Sequence, residues 1–347
     1  MMAPPRRGLI VAPSWVGDAV MATPAFVALR AAWPAAHLTL VCRPGIDQVL
    51  ANLRSNDRDV FDSIVVDRMG GAFGPARAGL RLRRPRADCA VLFPNSFRTA
   101  LAVRISGATR RVGYARDGRG ALLTDRVAPP SARPTSTVDS YCDLVERGLG
   151  VRVADRRPRL GISEADARAA HVALAGLAPP IALLVPGGNN AMKRWPPERF
   201  AAVADALVRT RGFTVAVSGS PRESDTLQAV LAAARVPITN LAERTGDLGT
   251  LKAIVSSAAL VVTNDTGPRH IAAAFAVPTV ALFGPTDHRW TTLRDVPEQV
   301  LNAEPFLPEE LVADDRAAFC RIDRISVGDV VAAIDTVLSR AARLAQP

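Results

Sequence analysis

The sequence predicts two doubly wound α/β domains facing each other across a cleft, and three observations predict it. Short runs of Val, Ile and Leu recur, each followed by a stretch of helical periodicity; the recurrence comes in two series; and a Pro- and Arg-rich stretch, ADRRPRLGIS (154–163), lies between them. At 347 residues the chain exceeds the size at which one core keeps growing, and 48% hydrophobic residues suffice to fill two. The domains are expected over 1–160 and 175–326. A last amphipathic pattern, 327–347, is expected to pack back across the first domain.

In the first series GLIVAP (8–13), HLTLVC (37–42), SIVVD (63–67) and DCAVLF (88–93) read as buried parallel strands. The first helix follows from Thr23 as a cap, Pro24 at the first helical position, and Phe26, Leu29 and Trp33 at helical spacing. The loop holding Gly17 and Asp18 therefore falls at the carboxyl end of the first strand. The second series repeats the plan with IALLVP (181–186), FTVAVSG (213–219), ALVVTN (259–264) and TVALFG (279–284). Helical patterns over 200–208 and 248–255 lie between those strands, whereas 295–316 looks irregular. Ligands of such sheets sit beyond the carboxyl ends of the strands, so the loops after those ends are where chemistry is expected.

Composition narrows the function classes. The longest apolar runs, such as 271–283 with Pro278 inside it, fall short of a membrane span. The N-terminal arginines and apolar run resemble a signal peptide, but Pro13, Gly17 and Asp18 interrupt it, so a cytoplasmic protein is expected. Cys42, Cys89, Cys142 and Cys320 stand far apart without a C-x-x-C pair, which argues for buried reduced thiols and against a zinc site. The net charge is +10, and all basic residues but Lys193 and Lys252 are arginine. Such a surface seeks anions: nucleic acid, an anionic membrane face or a phosphorylated substrate. Aromatic residues, 5% of the chain, do not interleave with the basic ones as a single-strand-binding platform requires. A nucleotide-dependent oxidoreductase would show G-x-G-x-x-G after its first strand, and neither series supplies it.

Three loops carry candidate chemistry. After IALLVP comes GGNNAMKRWPPERF, in which Gly187 and Gly188 permit close backbone approach and Lys193 and Arg194 bring positive charge; read alone, it is either a phosphate cradle or a plain connection. After ALVVTN comes DTGPRHIAAAFAVP, where Asp265 and Thr266 suit a helix start, Gly267 removes bulk, and backbone N–H groups with Arg269 and His270 would face an anion. After DCAVLF come Asn95, Ser96 and Arg98, then Arg110, Arg111, Arg116 and Arg119; Asn95 reads equally as a helix cap and the arginines as solvated charge.

Together, APSWVGDAVMATPAFVALR, LFPNSFRTALAVRISGATRRVGYARDGRGALLT, PGGNNAMKRWPPERF and VTNDTGPRHIAAAFAVPTVALFGPTD resemble the heptosyltransferases of glycosyltransferase family 9, nearest the lipopolysaccharide heptosyltransferase II group. The resemblance runs from about residue 8 to about residue 290, and Pro268, Arg269 and His288 depart from the commonest pattern. It implies a GT-B fold and a metal-independent, inverting enzyme without cofactor. ADP-L-glycero-β-D-manno-heptose would be the donor, and a phosphorylated, lipid-linked Kdo-lipid A core the acceptor. Asp18 matches the general base; Lys193 matches a lysine beside the donor diphosphate; Asp265, Thr266, Gly267 and His270 match the D-[ST]-G-x-x-H donor loop. Gly187, Gly188 and Glu223 fall on the donor side, the last by a loose match in SGSPRESD. Ser14, Gly17, Asn95, Ser96 and Arg98 fall on the acceptor side. Domain closure would align both substrates, and the basic first domain would bring the enzyme to the anionic inner membrane as a peripheral protein. The competing readings are a family 9 enzyme for another nucleotide sugar or another glycan, and a non-catalytic basic protein that binds nucleic acid or membrane.

Overall fold

The computed structural model describes residues 4–131, 135–303 and 320–344. The chain divides into two compact units, 1–161 and 162–347.

The first unit opens with β1 (Arg7–Val11), four of whose five residues are buried. Then come α1 (Val16–Met21), α2 (Thr23–Ala32), β2 (His37–Cys42) and α3 (Ile46–Leu50). Pro24 stands at the start of α2 as the sequence predicts, and Phe26, Leu29 and Trp33 are buried. Thr23 does not cap the helix: its hydroxyl donates to Val20 O at 2.7 Å and accepts from Arg159 N at 3.1 Å. A short hairpin, β3 (Arg54–Ser55) with β4 (Arg58–Asp59), precedes β5 (Ser63–Val66), α4 (Gly74–Arg81), β6 (Cys89–Leu92) and α5 (Phe97–Ile105). The unit ends with β7 (Arg110–Tyr114), β8 (Asp125–Val127) and α6 (Thr137–Leu149). The six-stranded sheet is parallel throughout, in the order β5-β2-β1-β6-β7-β8. The strand order reverses between β1 and β6, which makes that crevice the expected ligand site.

The second unit repeats this winding. It comprises α7 (Glu164–Ala173), β9 (Ile181–Val185), α8 (Pro197–Arg211), β10 (Thr214–Val217), α9 (Ser224–Ala233), β11 (Ile238–Asn240) and α10 (Leu248–Ser257). β12 (Leu260–Asn264), α11 (Gly267–Ala274), β13 (Thr279–Phe283), β14 (Glu298–Asn302) and α12 (Val327–Leu344) follow. Its parallel sheet runs β11-β10-β9-β12-β13-β14, reversing between β9 and β12. Residues 298–302, read from sequence as irregular, are thus an edge strand in register with β13; residues 304–316 of that stretch lie outside the described residues. The apolar face of α12, assigned from sequence to the first domain, is used within its own unit: Val330, Ile334 and Val337 are buried in the core that also holds Leu184, Phe200 and Val262.

Each unit closes its own core. In the first, Leu9, Val11, Leu92, Ala100 and Val103 cluster under the sheet, and Phe26 meets Phe93 edge to face at 4.8 Å. All four cysteines are buried, and burial pushes the Cys42, Cys89 and Cys142 thiols each up to about 12.

Candidate active site

At the first switch point, a cleft of about 510 Å³, counted to its open mouth, lies beyond the carboxyl ends of β1, β2, β5 and β6; Ser14, Arg43, Asp67, Arg68, Ser96 and Arg98 are in its wall. Three of the five residues expected on the acceptor side therefore share one cavity. Arg98 also holds the loop after β5, donating from Nη2 to Met69 O at 2.8 Å and to Gly71 O. Ser96 is the N-cap of α5, accepting from Thr99 N. Asn95 is not that cap: its Oδ1 accepts from Arg119 Nη2 at 2.9 Å. Arg119 is fully buried and also donates to Tyr114 O at 2.9 Å and to Pro94 O, while burial pushes its guanidinium down to about 10. An arginine that the sequence left among solvated charges thus fixes the loop that carries Asn95 and Ser96.

Gly17 and Asp18 lie on α1, whose N-cap is Trp15 without a side-chain cap. Asp18 is half-buried in the first helical turn, where the helix dipole favours a carboxylate. Its charge acts on the Tyr141 hydroxyl, which burial first and Asp18 second push well above the usual phenol range. Tyr141 is placed by an edge-to-face contact with Phe93 at 5.5 Å.

At the second switch point the Gly-Gly loop and the D-T-G loop are joined by Asn264, a fully buried residue that the motifs did not single out. Its Nδ2 donates to Pro186 O at 2.8 Å and Gly187 O at 3.0 Å, and its Oδ1 accepts from Trp195 N at 3.2 Å. A polar residue closing an otherwise apolar strand was the available signal. A β-carbon at Gly187 would meet the Glu223 carboxylate, so a side chain there would displace the end of the Glu223 side chain. Glu223 is held in turn by Ser220, its Oε2 accepting from Ser220 N and Oγ at 2.7 Å each. Lys193 Nζ stands 3.5 Å from Asp265 Oδ2. Trp195 anchors the Lys193 turn, being fully buried and donating from Nε1 to Ile325 O at 2.9 Å. Gly188, Lys193, Glu223, Asp265 and Thr266 accordingly lie on the segments that follow β9, β10 and β12, and Gly267 to His270 open α11.

Two readings of that loop change. Thr266 is the N-cap of α11 without a side-chain cap bond; its hydroxyl lies 3.1 Å from that of Thr263. Arg269 does not face an incoming anion. It is wholly buried, bonded to Glu298 from Nε at 2.7 Å and Nη2 at 2.8 Å, with Nη1 on the Thr291 hydroxyl at 2.8 Å. His270 is 3% exposed, its Nδ1 has no hydrogen-bond partner, and burial with the adjacent Arg269 charge pushes it down to about 3. It is therefore a neutral imidazole at physiological pH. The Thr286 hydroxyl after β13 and Oδ1 of Asn302 are likewise buried without partners. Among the described residues, no group of three or more His, Cys, Asp or Glu side chains is placed to hold a metal ion.

Twin Rossmann-like parallel sheets, each with polar loops at its switch point, define a protein of the GT-B class. The glycosyltransferase family 9 (heptosyltransferase) profile matches residues 76–310. Lipopolysaccharide heptosyltransferase 2 of Escherichia coli is 31% identical over 303 residues, covering 82% of this chain and 84% of that one. Lipooligosaccharide heptosyltransferase 2 of Haemophilus influenzae is 29% identical over 302 residues, with the same coverage of 82% and 84%. The solved structure of E. coli ADP-heptose lps heptosyltransferase II superposes with a TM-score of 0.80 at 25% identity, covering 97% of this chain and 99% of that one. A family 9 glycosyl transferase from Veillonella parvula gives 0.84 at 22%, covering 98% and 99%, a likeness of fold. The chain belongs to glycosyltransferase family 9.

Proposed function

We propose that the protein transfers heptose from ADP-L-glycero-β-D-manno-heptose to the inner core of lipopolysaccharide, with inversion. The observation that carries this reading is the second unit's loop set, in which Asn264 binds the Gly187 loop to the Asp265 loop and sets Lys193 beside Asp265. Glycosyl transfer through an oxocarbenium-like transition state builds negative charge on the departing nucleotide. Lys193 and the backbone N–H groups opening α11 are the chain's means of stabilising it. Glu223, beside Gly187, suits the hydroxyls of the donor ribose, and the neutral His270 suits a sugar hydroxyl. The roles assigned to Asp265, Thr266, Gly267 and Gly188 belong to the same donor site.

The first unit receives the acceptor. Arg43, Arg68 and Arg98 in the wall of its cleft fit a phosphorylated core, with Ser14, Gly17, Asn95 and Ser96 around it. Asp18 removes the proton of the attacking hydroxyl. Neither a metal nor a cofactor is part of this mechanism, and no nucleic acid is a partner. The enzyme works in the cytoplasm, held peripherally at the inner membrane by its basic charge. Among the described residues no helix is long and apolar enough to cross a membrane.

The test is ADP release from ADP-heptose and a truncated, phosphorylated Kdo-lipid A acceptor, for the wild type and Asp18→Asn. Turnover is expected to fall by about a hundredfold or more in the variant, with ADP affinity unchanged. Equal turnover would remove Asp18 as the base, and no turnover by the wild type would remove this donor and acceptor pair.

A further inference from the structure

Charged side chains of alternating sign form a row in the second unit. Lys193 Nζ lies 3.5 Å from Asp265 Oδ2, and Arg269 Nη1 lies 3.4 Å from Asp265 Oδ1. Arg269 in turn meets Glu298 from Nε at 2.7 Å and from Nη2 at 2.8 Å. The members come from separate places: the turn after β9, the loop after β12, the first turn of α11 and the start of β14. Only Lys193 is appreciably exposed, its side chain at 30% against 9% for Asp265 and less for the other two.

The contacts along this row are unequal. A guanidinium has five N–H groups, and Arg269 uses them all: on the two Glu298 oxygens, on the Thr291 hydroxyl at 2.8 Å and carbonyl at 3.0 Å, and on Asp265. The contact with Asp265 is the long one. A bidentate carboxylate at short distance takes the larger share of a guanidinium charge. Asp265 is therefore only partly neutralised from the Arg269 side, and its second oxygen attracts Lys193. With Arg269 given wholly to Asp265 the hold on Lys193 would weaken; with Arg269 removed it would strengthen.

We propose that Glu298 is a positioning residue of the donor site: by occupying Arg269 it leaves Asp265 able to hold Lys193, and so sets how readily Lys193 passes to the diphosphate of an incoming nucleotide. Glu298 opens β14, at the amino end of that strand, and acts through two side chains without touching the ligand. This role rests on reading Lys193 as the partner of the donor diphosphate. A diphosphate competes with Asp265 for Lys193, so nucleotide affinity reports the strength of the hold.

The test is ADP affinity by titration calorimetry for the wild type, Glu298→Gln and Arg269→Met/Glu298→Leu, each with and without Lys193→Met. In Glu298→Gln the guanidinium loses its bidentate partner and turns to Asp265, so ADP is expected to bind about fivefold more tightly. In the double variant Asp265 faces Lys193 without Arg269, so ADP is expected to bind about fivefold more weakly. With Lys193→Met in place neither change should appear. A purely structural tie between α11 and β14 predicts the opposite: weaker binding in Glu298→Gln, and recovery in the double variant as its apolar pair repacks the space. That result would overturn the proposal. So would shifts that persist without Lys193, which would mark them as effects of net charge. ADP affinity indifferent to Lys193→Met would remove Lys193 from the diphosphate, and both the donor reading of Lys193 and the role of Glu298 would fall. Should Glu298→Gln not fold, the double variant decides: weakened binding that vanishes without Lys193 upholds the proposal, and unchanged binding overturns it.

Discussion

Asn264 and Arg119 are both buried, and each donates to backbone carbonyls of the loop beside its own strand or turn, Arg119 also to Asn95 Oδ1. Such a residue does by side chain what a sheet ladder does by backbone: it satisfies carbonyls that a ligand loop would otherwise leave open. His270 is the contrasting case, a buried polar side chain with a nitrogen left open. Its titration has a consequence for stability. The folded state holds it down to about 3, against 6.5 for an ordinary histidine. As pH falls below 6.5 the unfolded chain takes up a proton that the folded chain refuses, so stability declines from there toward pH 3. Between pH 7.5 and 4.5 the wild type is expected to lose on the order of 2 kcal/mol more than His270→Gln in urea unfolding. Parallel losses in the two proteins would show that His270 is not kept neutral by the fold.

At the scale of elements, Arg269 ties α11 to β14, and through Asp265 at 3.4 Å it also reaches the donor loop. Its guanidinium lies 4.7 Å from the Phe283 ring centroid, so one side chain connects the helix, the edge strand and β13. Removing one partner of a buried pair leaves the other charged and dry. Glu298→Gln is expected to cost about 3 kcal/mol, and Arg269→Met/Glu298→Leu to recover most of it, in a denaturation cycle. Full stability of Glu298→Gln would show that the pair is dispensable. This tie also marks where sequence reading stops. Strands with an apolar run, β1, β2, β6, β9, β10, β12 and β13, are legible because burial on both faces favours apolar residues. Of the edge strands, β5 is legible by its Ile64-Val65-Val66 run, whereas β8, β11 and β14 are not, because they carry residues such as Glu298 and Gln299 that read as loop. β7 is hidden differently, by Arg110 and Arg111 at its start. The same limit governs the site. Glycines, Lys193 and Asp265 announce themselves by type and place, whereas the direction of Arg269 depends on Glu298, 29 residues on.

For the whole molecule, two units of one winding order carry unlike switch points. The first has Arg43, Arg68 and Arg98 around an open cleft, and the second has Lys193, Asp265 and a neutral His270 on loops joined by Asn264. Identical architecture therefore says little about division of labour; the side chains at the strand ends decide it. If the second unit alone holds the nucleotide, ADP without acceptor is expected to slow amide hydrogen exchange over 186–194 and 264–271 and to leave 12–18 and 93–98 unchanged. At a hundred times its Kd, ADP stabilises the state that binds it by about 2.7 kcal/mol, which sets the ceiling at roughly a hundredfold slowing. A deacylated, phosphorylated acceptor should give the reverse pattern. Protection of 12–18 by ADP alone would mean that the first unit contributes to nucleotide binding. Protection of neither second-unit loop would move the nucleotide away from the Asn264 junction and leave Lys193 and Asp265 as a structural ion pair.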